Sequence, residues 1–179
     1  MQRRKPDMVA GASKRAWVSW LSAIADPRVD AIIPLADDLL NIKAALKHMY
    51  QSLGNNWPIA FSPYYNEAID TQIDTPAFEQ LMQIEDPLRY LGTPYEARLS
   101  VEKYLVNSSG DDFYAADNSS LYHDRLPGDK TLRVVPNADH AGILKYTKDS
   151  LIPFVKRMQQ SKALPSIGSE IVRSPATTP

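Results

Sequence analysis

Three short stretches of this chain carry a hydroxyl, a carboxylate and an imidazole, in that order. They are Gly11-Ala12-Ser13-Lys14-Arg15-Ala16-Trp17, Ser108-Ser109-Gly110-Asp111-Asp112-Phe113 and Pro136-Asn137-Ala138-Asp139-His140. A serine hydroxyl becomes a nucleophile when an imidazole takes its proton. A carboxylate on the far ring nitrogen holds the tautomer and stabilises the imidazolium. Each stretch also has a plainer reading. Ser13 is a good helix N-cap residue, Asp111 or Asp112 can bond its own backbone in an Asx turn, and a lone loop histidine such as His140 is commonly a surface or packing residue. The order of the three gives them joint meaning.

That meaning depends on the elements that position them. Pro6 to Gly11 reads as a short strand, and a helix carrying Trp17, Trp20, Leu21 and Ile24 starts directly after Ser13 and stops at Asp26-Pro27. A serine on a tight turn between strand and helix is a nucleophile elbow, with the Lys14 N–H facing the developing oxyanion. Gly11, Ala12 and Ala16 supply the small residues such a turn needs, whereas Arg15 stands where G-x-S-x-G has its second glycine. Val29 to Leu35, Val101 to Asn107 and Thr131 to Val135 read as further strands. Strand, helix and strand in succession imply a right-handed crossover and a parallel sheet. Asp111 and His140 then follow strand ends, where the active sites of open parallel sheets gather. Asp37 and Asp38 follow a strand as well, so either could serve as a substitute acid; Asp38 is the runner-up to Asp111, and Asp112 the third choice.

Between Leu39 and Arg98 the pattern becomes helical, with Leu39, Leu40, Ile42, Leu46, Met49 and Tyr50 at helical spacing. A further helix is expected from Thr75-Pro76, capped by Thr75, with Phe78, Leu81 and Met82 on one face. So long a connection reads as a helical cap over the site, about residues 39–98. Its aromatic residues Trp57, Tyr64 and Tyr65 either line a substrate pocket or pack cap against body. Asn118 to Leu126 is expected to be helical, and a last helix should carry Leu144, Leu151, Ile152, Phe154, Val155 and Met158. Residues 166–179 read as a disordered tail on a domain spanning 1–165.

Composition bounds the function. The 179 residues suffice for one domain with a substantial core. Lys and Arg number 20 against 21 Asp and Glu, spread along the chain, so no basic surface points to nucleic acid. No apolar run is long enough to span a bilayer, and Met1 to Ala10 lacks a signal-peptide apolar core. Cysteine is absent and the three histidines, His48 and His123 among them, have no ligand spacing, so neither metal nor cofactor is expected.

The three motifs, together with Asp26-Pro27-Arg28-Val29 and Ile84-Glu85-Asp86-Pro87, resemble the PhoPQ-activated pathogenicity-related proteins, a family that includes secreted autocrine proliferation repressors. The resemblance covers most of the chain up to about Pro165. It implies a partial α/β-hydrolase fold, a mostly parallel sheet with flanking helices and the cap insertion, related to serine peptidases and esterases. Ser13 matches the nucleophile position, Asp111 the acid and His140 the base. It also implies secretion, although no export signal is seen. Family members are considerably longer and commonly carry glycine where this chain has Ala16. Upstream strands would supply a second oxyanion N–H, and losing one such donor costs about 3 to 4 kcal/mol.

Two functions are therefore expected. The first is a serine hydrolase acting on a small ester or a peptide through Ser13, His140 and Asp111, with activity reduced if the upstream strands are missing. The second is a non-catalytic signalling or interaction protein that presents the hydrolase scaffold to a cell-surface protein partner.

Overall fold

The computed structural model describes residues 4–163. Four parallel strands form one sheet in the order β1 (Asp7–Ala12), β2 (Val29–Leu35), β3 (Glu102–Ser108) and β4 (Lys130–Val135). Among the described residues β1 and β4 are therefore the two edges. Helix α1 (Lys14–Ala25) returns the chain from β1 to β2.

The period-two alternation of a strand sends successive side chains to opposite sheet faces. Ile32 and Leu105 pack with Trp20, Ala23 and Ile24 of α1 on one face. Ala31, Ile33, Leu35 and Val106 point the other way, to a core that includes Phe154 of the last helix, α5 (Leu144–Gln159). Within that core the rings of Tyr104 and Phe154 stack at 5.2 Å. The result is a helix–sheet–helix sandwich, the arrangement that buries both faces of a parallel sheet. At the β3 entrance the fully buried Lys103 donates to the carbonyls of Leu99, Val101 and Pro127, each at 2.6 Å. Burial lowers its pKa to about 8.

Between β2 and β3 lie α2 (Ile42–Ser52), α3 (Ser62–Asn66), α4 (Pro76–Glu85) and several single 3₁₀ turns. They have their own core, built by Ile42, Leu46 and Met49 of α2 with Phe61, Phe78 and Met82. The Thr75 side chain accepts from the Phe78 N–H at 3.2 Å and caps α4. One buried carboxylate ties the two ends of this region together. Asp86 accepts from the N–H groups of Asn41, Ile42 and Leu88, so it caps α2 from a residue 44 positions away while starting the next turn.

Several elements differ from the sequence expectation. Residues 118–126 form two 3₁₀ turns, Asn118–Leu121 and His123–Arg125, because Tyr122 between them drops wholly into the core. In α4, Phe78 and Met82 are buried while Leu81 stays 44% exposed. Helix α5 (Leu144–Gln159) contains Pro153 and buries only Thr147 and Phe154 fully; Leu144 and Ile152 remain exposed. The expected tail, 166–179, lies outside the described residues.

Candidate active site

Ser13 sits between β1 and α1 with φ 54° and ψ −128°. A non-glycine residue in that region is strained by about 1–3 kcal/mol, which the surroundings must hold. They do so from both sides: the Ser13 N–H donates to the Leu35 carbonyl at 2.9 Å, and its carbonyl accepts from Ala16 at 2.8 Å. Its hydroxyl makes no bond to the helix start, so Ser13 is not a side-chain N-cap. Instead Oγ lies 2.9 Å from His140 Nε2.

His140 follows β4 after a turn in which Asn137 takes a positive φ of 57°. That turn and the one after β3 are laced together. Ser109 N–H donates to Val135, Gly110 N–H to Ala138, Asn137 N–H to Ser109 Oγ, and His140 N–H to Asp112 Oδ1. Gly110 eases this approach, since a Cβ there would stand 3.1 Å from the Ala138 oxygen, a tight contact that the turn would have to give way to by a few tenths of an ångström. The lacing delivers the Asp111 carboxylate to His140 Nδ1, at 2.9 Å from Oδ2 and 3.1 Å from Oδ1. A carboxylate only accepts, so Nδ1 carries the proton and Nε2 faces the serine as an acceptor.

Asp111 is itself fixed by three donors. Its Oδ1 accepts from the Phe113 and Tyr114 N–H groups and its Oδ2 from Ser108 Oγ. The Asx turn and the histidine contact are thus one arrangement, because the turn aims the carboxylate. The side chain of Asp111 is 4% exposed and that of His140 13%. Burial pulls the His140 pKa down. The hydrogen bond to Asp111, with the charges of Asp111 and Asp112, outweighs it, and the net shift is upward. Two rings fix the imidazole plane: Phe113 at 4.5 Å between centroids and Tyr114 edge-on at 5.6 Å.

Lys14 opens α1, and its backbone N–H is one of those that a helix start leaves without an intrahelical acceptor. Its side chain runs out to solvent, with Nζ 5.8 Å above the Tyr64 ring. Arg15 is also exposed, so the close contact expected at the second glycine position falls on fully buried Ala16. Trp57, Tyr64 and Tyr65 all line one apolar cavity beside Lys14.

The structure does not bring every acidic candidate to the imidazole. Asp38 is buried, but it is Asp111 that meets Nδ1; Asp112 reaches only the His140 backbone. His48 pairs with Asp117 and His123 lies beside Asp124, both away from Ser13. Two residues near the site, Tyr114 and Phe113, were given no role from sequence, and Asp37 only that of a substitute acid. Tyr114 stands edge-on to the His140 ring, and burial raises the pKa of its hydroxyl. Asp37, almost fully buried beyond the positive-φ Ala36, has its pKa pushed up to about 8 by burial and by Asp38. Phe113 covers the imidazole. An Asx turn at Asp111 could have indicated Phe113 and Tyr114, since it fixes the residues two and three places on. Nothing in the local pattern marks Asp37 over Asp38.

The architecture is that of the α/β-hydrolases. A Pyrococcus horikoshii acylaminoacyl peptidase superposes on 92% of this chain and 26% of its own, with TM-score 0.62 at 13% identity. Acetyl xylan esterase 1 from Thermoanaerobacterium covers 86% of this chain and 46% of its own, with TM-score 0.56 at 16% identity. In sequence, autocrine proliferation repressor protein A of Dictyostelium discoideum is 30% identical over 172 residues. That match takes in 93% of this chain and spans a third of the relative's length, 33%. Residues 4–178 match the family model of the PhoPQ-activated pathogenicity-related proteins, and the chain belongs to that family.

Proposed function

We propose that this chain carries a serine hydrolase site for ester or peptide bonds. The observation that supports it is the continuous relay from Ser13 Oγ through His140 to Asp111, with both hydrogen bonds at 2.9 Å. In this reading Ser13 attacks the carbonyl carbon, and His140 Nε2 takes the hydroxyl proton and returns it to the leaving group. Asp111 stabilises the imidazolium, and the Lys14 N–H receives the oxyanion. The acyl-enzyme is released when water attacks with His140 again acting as base.

A fluorophosphonate probe tests this directly. Folded wild-type protein should be phosphonylated at Ser13, identified by peptide mass spectrometry, and Ser13→Ala protein should not. Wild-type protein that stays unlabelled at Ser13 would remove the hydrolase reading.

The name of the Dictyostelium relative, a proliferation repressor, favours a second reading in which the scaffold serves as a binding surface for a cell-surface partner. Ser13→Ala separates the two. Under this reading it represses proliferation as fully as wild type; under the first it does not.

A further inference from the structure

A cavity of about 190 Å³ lies against the nucleophile turn on the side of the helical insertion. Its walls include Trp17, Trp57, Phe61, Tyr64, Met82 and Tyr114. The wall is stiffened by a run of ring contacts, Tyr50 to Trp57 at 4.9 Å, Trp57 to Phe61 at 5.8 Å and Phe61 to Tyr64 at 4.9 Å. The Trp17 indole N–H is already satisfied by the Glu85 carbonyl at 2.6 Å, so it presents its apolar face without demanding a polar ligand. The charged groups Lys14, Asp70 and Glu85 also border the cavity.

Two residues join this space to the reacting atoms. Lys14 follows the nucleophile, and Tyr114 both lines the cavity and packs edge-on against the His140 ring. Neither the imidazole nor Ser13 itself contributes to the lining, so the space begins one residue beyond the nucleophile, at Lys14. Since His140 must protonate the leaving group, the leaving group lies on the imidazole side of the tetrahedral carbon. The acyl substituent then points the other way, past Lys14. An apolar cavity of about 150 Å³ accommodates benzene. A space slightly larger takes one ring with a methylene or two, or an aliphatic chain of about six carbons, and excludes long fatty acyl chains.

We propose that this cavity is the acyl pocket of the site and selects an uncharged aromatic or medium-length aliphatic acyl group. The assignment rests on the hydrolase reading for its orientation, while the occupancy of the pocket can be measured without catalysis. Ser13→Ala protein titrated calorimetrically with phenylacetamide should show saturable binding, weakened roughly tenfold or more by the added Leu81→Trp substitution at the exposed rim. Absence of saturable binding overturns the pocket whether or not the protein is an enzyme.

In the wild type, kcat/KM for p-nitrophenyl phenylacetate should exceed that for the acetate by roughly tenfold or more. The palmitate ester should fall below both. Leu81→Trp should compress the phenylacetate-to-acetate ratio, and Met82→Phe, deeper in the wall, is the second filling variant. Equal rates for acetate and phenylacetate in protein that takes up fluorophosphonate at Ser13 overturn the acyl-pocket assignment and leave the nucleophile reading intact. Failure to label Ser13 in protein that still binds phenylacetamide overturns the hydrolase reading, and the acyl assignment with it.

Discussion

The backbone of Arg15 fills the space that a Cβ on Gly11 would need. The carbonyl would be overlapped outright, and the nitrogen of Ala16 would stand only 2.8 Å away. The obstacle is main chain rather than the end of a flexible side chain, so no rotamer change relieves it. The strand can turn into α1 at Ser13 because residue 11 has no side chain, whereas the side chain of residue 15 points outward and its size is immaterial.

Gly11→Ala is therefore expected to open the turn and cost about 1–3 kcal/mol or more, seen as a lower Tm, together with loss of fluorophosphonate labelling. Arg15→Gly restores the second glycine of the common motif and should only weaken the helix, by about 1 kcal/mol, with labelling retained. Equal stability and labelling for Gly11→Ala and wild type would contradict this account of the elbow.

Asp111 is the carboxylate on His140 Nδ1. Replacing it by Asn offers that nitrogen an amide able to fix the wrong tautomer, and kcat should fall by ~10⁴-fold. Asp38→Asn and Asp112→Asn leave that contact in place and should lose far less. A deeper loss in Asp38→Asn than in Asp111→Asn, measured on the same ester, would transfer the acid role to Asp38.

The proposed hydrolysis needs neutral His140. Its pKa lies above the ordinary 6.5, since the hydrogen bond to Asp111 and the charges of Asp111 and Asp112 outweigh the opposing effect of burial. Activity should thus rise with pH through a midpoint above 6.5, and Asp112→Asn, which removes one of the raising charges, should move that midpoint down. A kcat/KM profile centred below 6.5 would show that burial dominates instead.

Asp37 gives a second pH dependence, in stability. Burial and the neighbouring Asp38 raise its pKa from 3.8 to about 8 in the folded protein. Between those values the unfolded chain loses the proton and the folded one keeps it, so ionisation favours unfolding. This contribution to stability is complete below 3.8 and declines as pH rises toward 8. Asp37→Asn has no proton to lose, and its Tm advantage over wild type should be greater at pH 8 than at pH 4. A constant difference between the two proteins across that range would argue against a raised pKa at this position.

The Asp86 carboxylate accepts three N–H groups and joins the α2 start to the end of α4. Asp86→Ala leaves those buried donors without partners and should cost about 2–3 kcal/mol. Hydrogen exchange at Asn41, Ile42 and Leu88 should accelerate ahead of global unfolding. Unchanged protection at these amides would show that another group or water takes over the cap.

Much of the scaffold was legible from local pattern alone. The β-branched run at 29–35, the breaker at Asp26-Pro27 and the Thr75-Pro76 start each act within one turn or strand, and periodicity reports such interactions directly. Where an element's state depended on a distant partner, the pattern misled. Residues 118–126 look helical, but Tyr122 gains more from the core than from a continuous helix. Leu81 fits the apolar face of α4, yet it stands at the rim of a cavity formed by other segments.

For the candidate site the division is similar. Residue types and chain order were enough to single out Ser13, Asp111 and His140, because elbow, acid turn and histidine turn each have a local grammar of small and turn-forming residues. Choosing Asp111 over Asp38 and Asp112, seating Tyr114 against the imidazole and enclosing an apolar cavity beside Lys14 all depended on tertiary structure. Those outcomes rest on distances between residues up to 127 positions apart, as with Ser13 and His140. Such distances follow from how the strands stack into one sheet, and no local stretch of sequence carries them.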